Sequence, residues 1–176
     1  MTLNASGPIS LGGSTSGQSV NLELGQSATA QISFNDAAVR TLTGTSAGTA
    51  LIMPTNFYGK SNVLDTQTVT VGGYNIKGTV FYGYGSSFGS INDGTFNPVS
   101  NATIDSLYYY VNAATVFFTL VGVYANSGWT SMDIAGTSFT RSSATFSNSS
   151  NTTWSWSSAS NPFGTTIGAT KVCTFT

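Results

Sequence analysis

The chain has 176 residues, five of them basic and six acidic, with no histidine, one cysteine and a formal net charge of -1. Five cations spread over such a length cannot neutralise a phosphate track, so nucleic-acid binding is not expected. One cysteine rules out an intrachain disulfide, and without histidine or a cysteine cluster no zinc ligand set exists. Charged residues make up 6% of the chain, against about 25% in an ordinary globular protein. Hydrophobic residues nevertheless reach 40% and aromatics 12%, which is not the composition of a disordered chain. The expectation is a folded protein solvated by hydroxyls and amides, with little charge repulsion to keep copies apart. No run of eighteen apolar residues is present, so no membrane-spanning helix is expected. The N-terminus lacks the basic start and apolar run of a secretory signal.

In chain order, residues 1 to 18 are small, polar and glycine-rich, with Pro8 and Gly12-Gly13 favouring turns. Val20, Leu22 and Leu24 alternate with Asn21 and Glu23, the pattern of a half-buried strand. Thr29 to Phe34 places Ala30, Ile32 and Phe34 on one face. A helix follows: Asn35 or Asp36 caps it, Ala37 to Leu42 forms it, and Gly44 stops it. Val39 and Leu42, three apart, share one face of that helix. Arg40 lies four residues after Asp36, close enough to pair with it, or it can reach a neighbouring subunit. An apolar run, Ala50 to Met53, is closed by Pro54, and two aromatics then sit beside a glycine and a cation in Phe57-Tyr58-Gly59-Lys60.

Four pieces of this segment carry a family resemblance. They are Ile9-Ser10-Leu11-Gly12-Gly13, Ser19-Val20-Asn21-Leu22-Glu23-Leu24, Val39-Arg40-Thr41-Leu42-Thr43-Gly44 and Phe57-Tyr58-Gly59-Lys60-Ser61. In this order they resemble a module found at the start of many tailed-phage virion proteins. The resemblance covers about a third of the chain. It implies a virion structural protein, most often of the tail, baseplate or fibre, with residues 1–66 as a small α+β docking module. Arg40, Leu42, Phe57, Tyr58 and Lys60 are then the candidate docking residues.

Residues 67–176 read as a second domain written in short strands. Thr68 to Val71 is β-branched throughout and ends at Gly72-Gly73. Thr79 to Tyr84 is a strand, and Gly83 to Gly94 is rich in turn residues. Ser106 to Val111 puts Leu107, Tyr109 and Val111 on one face, Tyr108 and Tyr110 on the other. Thr115 to Tyr124 is apolar on both faces, with Val116, Phe118 and Leu120 opposed to Phe117, Val121 and Val123. Such a strand is expected to be covered on both sides, as a central strand or at a subunit interface. Trp129 to Ile134, Ser138 to Phe146, the pair Trp154 and Trp156, and Val172 to Phe175 complete the series. Strands at this spacing between glycine turns predict an antiparallel β domain, a sandwich or a barrel-like one, with the sandwich-like form favoured. The Thr152 to Trp156 sequence, TTWSW, is also similar to one near the end of small β domains in phage tail and fibre proteins.

The residue types argue against catalysis. With no histidine the usual base for a Ser or Cys nucleophile is missing, and Lys60, Lys77 and Lys171 lie in no Ser-x-x-Lys pattern. The six acids Glu23, Asp36, Asp65, Asp93, Asp105 and Asp133 fall at turns, caps and strand ends, where Asp serves geometry. Asn92-Asp93-Gly94 reads equally as a turn or as part of a calcium site. No catalytic, cofactor or metal residues are therefore assigned. Trp154, Trp156, Tyr108 and Tyr110 form a candidate aromatic surface that could stack on a host surface glycan, with core packing as the alternative for the tryptophans.

The resulting expectation is a non-enzymatic component of a bacteriophage virion, a tail, baseplate or fibre-adaptor subunit. A capsid cement or decoration protein and a host-glycan receptor-binding module are the alternatives. Its expected partners are other virion proteins and copies of itself, as a homo-oligomer with a trimer favoured, and neither nucleic acid nor a membrane.

Overall fold

The computed structural model describes residues 2–99 and 101–176. The chain divides into two compact units, Met1–Val63 and Leu64–Thr176, close to the boundary expected at 66.

The first unit is built from turns and short helices, α1 (Val20–Glu23) and α2 (Ala37–Thr43), followed by a single 3₁₀ turn, Thr55–Phe57. Leu3, Ile9, Val20, Val39, Leu42 and Phe57 form its core. In α2, Asp36 is the N-cap residue and Gly44 closes the helix in the left-handed conformation. Val39 and Leu42 point inward. The segment Ser19 to Leu24, expected as a strand, is instead one helical turn. Ser19 stands at its N-cap and accepts a hydrogen bond from the Leu22 amide. A cap worth about 1 kcal/mol, with Gly25 at φ 69° to end the turn, outweighs an alternation of only five residues. Burial of Asn21 and Glu23 alongside Val20 is what the helical turn requires and the strand reading forbids. Both polar side chains are used: Asn21 Nδ2 donates to the Ala30 carbonyl and Glu23 Oε1 accepts from the Asn62 amide. Ala30 to Ser33 has no regular secondary structure and Phe34 lies in a turn, so the segment pairs with no strand among the described residues. Its Ile32 and Phe34 pack against the core.

The second unit is mainly β, with two antiparallel sheets in a sandwich-like arrangement. Its strands are β1 (Asp65–Thr70), β2 (Gly72–Ile76), β3 (Thr79–Tyr84), β4 (Ser90–Ile91), β5 (Thr95–Phe96) and β6 (Ala102–Tyr110). After these come β7 (Thr115–Val121), β8 (Ser131–Ile134), β9 (Thr137–Thr140), β10 (Thr145–Asn148), β11 (Asn151–Ser157) and β12 (Thr170–Phe175). One sheet runs β4-β1-β12-β8-β9; the other runs β10-β11-β7-β6-β3-β2, with β5 beside β6. Two glycines expected to end the first strand, Gly72 and Gly73, open β2 instead. The expected strand Ser138 to Phe146 is broken by a 3₁₀ turn at Arg141–Ser143, so its halves β9 and β10 join different sheets.

The inner faces meet through aromatic rings. Phe96 of the larger sheet lies 4.7 Å from Phe175 of the smaller one, centroid to centroid. Phe118 stacks on Trp154 and touches Phe175, and Trp129 sits edge-on to Phe96, Phe118, Trp154 and Phe175. Edge-to-face contacts of this kind add about 0.5–1.5 kcal/mol each beyond the area they bury. Two indole N–H groups are matched: Trp154 Nε1 donates to Asn126 Oδ1 and Trp156 Nε1 to the Thr140 carbonyl, each at 2.8 Å. Arg141 holds that loop by donating to the carbonyls of Trp129 and Asn126. At the start of β1 the buried Asp65 carboxylate gathers Thr66 N, Gln67 Nε2 and both Asn97 N and Nδ2, fastening the loop after β5.

Strand β7 is central in its sheet, between β11 and β6. Its inner residues Val116, Phe118 and Leu120 are fully buried. The expectation that both of its faces are covered does not hold within the chain: Phe117 is half-buried, while Val121 and the following Val123 are exposed at 47% and 57%. In β6 the phase changes partway. Ala102 and Ile104 point inward, then a bulge between Ile104 and Ser106 shifts the register, and Leu107 and Tyr109 point inward. Val111, expected on the same face as Leu107 and Tyr109, lies past the strand end and is exposed.

Cys173 is fully buried on β12, and burial, with a smaller contribution from Asp133, pushes its thiol from the ordinary 9.0 up to about 12. Above pH 9 the unfolded chain therefore releases a proton that the folded chain retains, so this residue's contribution to stability falls as pH rises from 9 to 12. In urea titrations the stability gap between the wild-type chain and Cys173→Ala should narrow over that range, at up to about 1.4 kcal/mol per pH unit. A gap that stays constant would contradict the buried, protonated thiol.

Candidate functional site

The outer face of the larger sheet carries a second aromatic cluster, separate from the core. Phe81 of β3 and Tyr108 and Tyr110 of β6 project outward from facing strands, because Phe81 pairs with Tyr110 in the ladder. Phe81 stacks on Tyr110 at 4.9 Å and meets Tyr108 edge-on at 5.4 Å. Tyr108 stacks in turn on Phe117 of β7 at 5.2 Å. Tyr74 of β2 and Phe88 of the loop after β3 close the cluster, each about 6 Å from Phe81.

Phe88 reaches this place because of glycines. Its ring lies against Gly85, where an added Cβ would come within 2.8 Å of it. Gly89, at φ 67°, threads between two backbones: a Cβ there would stand 2.2 Å from the Gly83 carbonyl oxygen. Only glycine permits both the positive φ and the close approach. The loop from Gly85 to Gly89 is thereby folded back over the sheet with Phe88 facing Tyr108.

Between these rings lies an open groove of about 330 Å³, and Asp105, Ser106 and Thr119 form part of its lining. The β6 bulge is responsible for the carboxylate. It leaves Asp105 without a partner residue on β7, and two consecutive polar side chains, Asp105 and Ser106, line the same groove. Asp105 is half-buried and its carboxylate makes no hydrogen bond among the described residues. Burial and, second, the charge of Asp105 raise the Tyr108 phenol above its ordinary value. The groove thus combines aromatic faces with one negative group. A second hollow, of about 270 Å³ beside Gly73, Tyr82 and Ile167, has no charged residue in its lining. Among the described residues no group of three Asp, Glu or Cys side chains comes together that could hold a metal. Asn92, weighed as a calcium ligand, uses its Oδ1 to accept from the Thr68 amide and so fastens β4 to β1.

The candidate aromatic surface therefore separates into two halves. Tyr108 and Tyr110 are on the outer face, as the strand periodicity requires. Trp154 and Trp156 are not a surface pair: they share a face of β11, but it is the inner one, and they are 0% and 5% exposed. The alternate positions Thr153, Ser155 and Ser157 are all hydroxylic and mark the solvent side. That signal was present in the sequence. Tyr74, Phe81 and Phe88 belong to the site and were not assigned to it, because the loop that brings Phe88 in reads locally as turns.

The candidate docking residues of the first unit are also redistributed. Leu42 and Phe57 lie in its core at 6% and 0% exposure and present nothing outward, since a unit this small needs them for its own packing. Arg40 makes no ion pair with Asp36 among the described residues; the Asp36 Oδ2 accepts from the Ser33 amide. Its guanidinium donates to the Ser46 and Thr49 carbonyls and to Asn35 Oδ1, bracing the loop after α2. Tyr58 is half-buried and ties back to the Gly7 carbonyl through its hydroxyl. Lys60 is half-buried, and its carbonyl accepts from the Leu3 amide.

Comparison with protein-family models, with curated proteins and with solved structures gives no match.

The division between core and surface aromatics has a direct consequence for stability. Trp154→Ala should cost about 3–5 kcal/mol, whereas Tyr110→Ala, which loses mainly its stacking on Phe81, should cost about 0.5–1.5 kcal/mol. Denaturant midpoints of the two variants check this, and equal losses would place both rings in one environment.

Proposed function

We propose that the chain is a non-enzymatic structural subunit of a tailed-phage virion, at a tail, baseplate or fibre-adaptor position. The single observation that supports this most is the ordered set of four motif pieces, all of which fall inside the first compact unit, Met1–Val63. In this reading the first unit attaches to the particle and the β unit offers its outer aromatic face to a neighbour. Tyrosine and phenylalanine are enriched in the centres of protein interfaces, and an outward cluster of five or six rings is the kind of patch that marks a contact. The exposed Val121 and Val123 extend the apolar character of that half of the molecule and favour self-association, a trimer in the virion. A head decoration protein would use the same surfaces. Receptor-glycan binding, without the two buried tryptophans, rests on Tyr108 and Tyr110 alone.

Mass spectrometry of purified particles, separated into heads and tails, tests the reading. The chain should be present at a fixed copy number in the tail fraction, and electron microscopy should place it at symmetry-related positions. Recovery confined to heads would move it to the decoration role, and absence from washed particles would overturn the virion role altogether.

A further inference from the structure

We propose that the groove at Asp105 is a receptor for a basic side chain of a partner protein, an ammonium or guanidinium group that enters among the aromatic rings and meets the carboxylate.

Asp105 is the one charged residue in the lining, it is half-buried, and it has neither hydrogen bond nor ion pair among the described residues. A partly desolvated carboxylate left alone is unfavourable, and an opposite charge brought to it removes that cost. Its field already reaches Tyr108, whose phenol it helps to keep protonated. The chain's own cation on the hairpin, Lys77, sits at the far end from Gly85: the ladder runs from Gly72–Gly83 down to Ile76–Thr79, and Lys77 lies beyond that last pair. Arg141 is occupied by the Trp129 and Asn126 carbonyls.

Tyr74, Phe81, Phe88 and Tyr108 line the same groove as the carboxylate. Phe81 and Phe88 are roughly parallel, and both stand steeply to Tyr108. Rings in more than one orientation around one space give a cation a π face within about 6 Å from several directions. Lysine and arginine also carry an aliphatic stem that packs on such rings while the head reaches a charge. A purely apolar group would bury the carboxylate without compensating it. A neutral sugar would satisfy its lone pairs and leave the charge unmatched. The size agrees: about 330 Å³ lies at the low end for ligand sites, room for one side chain rather than an extended oligosaccharide.

A bulge puts Asp105 where regular pairing with β7 would not, Gly89 approaches the Gly83 and Gly72 backbones at a distance and φ that only glycine tolerates, and Gly85 leaves room for the Phe88 ring over the sheet. The inference concerns the isolated chain and does not depend on the virion role.

The test is an NMR titration of the full ¹⁵N-labelled chain with Nα-acetyl-lysine-N-methylamide and its arginine counterpart. The neutral norleucine analogue and methyl glucoside serve as comparisons. The basic compounds should shift the amides around Phe88, Asp105 and Tyr108 and saturate in the millimolar range. Norleucine should bind at least about tenfold more weakly, and raised salt should weaken only the basic compounds. Asp105→Asn, with an unchanged melting temperature, should lose lysine binding by the same factor. Tyr108→Phe, which keeps the ring, should retain it, and Tyr108→Ala should not. Equal binding of lysine and norleucine, or full lysine binding by Asp105→Asn, would overturn the proposal. So would saturation by the glucoside with no response to lysine, which would return the groove to a sugar.

Discussion

The β6 bulge at Asp105 is the constraint on which the second unit's arrangement depends. An unbroken two-residue alternation that begins with Ala102 and Ile104 inside would continue with Ser106, Tyr108 and Tyr110 inside. It would expel Leu107 and Tyr109. One inserted residue reverses the phase. Upstream of it β6 pairs with β5 and puts Ala102 and Ile104 in the core; downstream it contributes Leu107 and Tyr109 to the core and turns Tyr108 and Tyr110 out. The inner aromatic core and the outer aromatic groove are two consequences of the same extra residue. The carboxylate in the groove is that residue's own side chain.

Around this strand the two faces of the larger sheet use aromatic residues for different ends. Inside, Phe118, Trp129, Trp154 and Phe175 lock together at many angles, and a chain with 6% charged residues obtains its cohesion there. Outside, Phe81, Phe88, Tyr108, Tyr110 and Phe117 remain half-buried, covered by one another more than by the fold. Partial mutual cover lets such a surface stay in water while it keeps area to bury against a partner. The first unit solves a different problem. With six buried apolar side chains it has little core, and it compensates by satisfying backbone groups with side chains: Asn21, Glu23, Arg40 and Tyr58 all end on main-chain atoms.

Much of the fold was legible. Helix α2 was, because its start, apolar pair and stopping glycine agree. So were β3, β7 and β12, and the antiparallel β character, since β-branched and aromatic runs between glycines leave few alternatives; the strand pattern suited a sandwich or a barrel, and the pairing into two sheets decides for the sandwich-like form. Ser19 to Leu24 was not, because five residues satisfy a strand and a capped turn equally and the cap decides. β2 was missed because Gly72, read with Gly73 as a turn, is needed for close backbone contact with Gly89, while Gly73 lies against the Ile167 side chain. The site was legible by half. Periodicity fixed that Tyr108 and Tyr110 share a face, and that Trp154 and Trp156 share one, but a shared face is not an outward face. Phe88 comes to Tyr108 by a loop whose path depends on three glycines meeting in space, which no local pattern encodes.

The account's central claim is that the inner rings hold the β unit together and the outer rings are the surface it offers to others. Hydroxyl-radical footprinting of aromatic residues, on the free chain and on the assembled particle, tests it most directly. Tyr74, Phe88, Tyr108 and Tyr110 should be oxidised in the free chain and protected on the particle, while Trp129, Trp154 and Trp156 should be protected in both. Oxidation of the tryptophans in the folded free chain, or equal oxidation of the outer rings in both states, would contradict the claim.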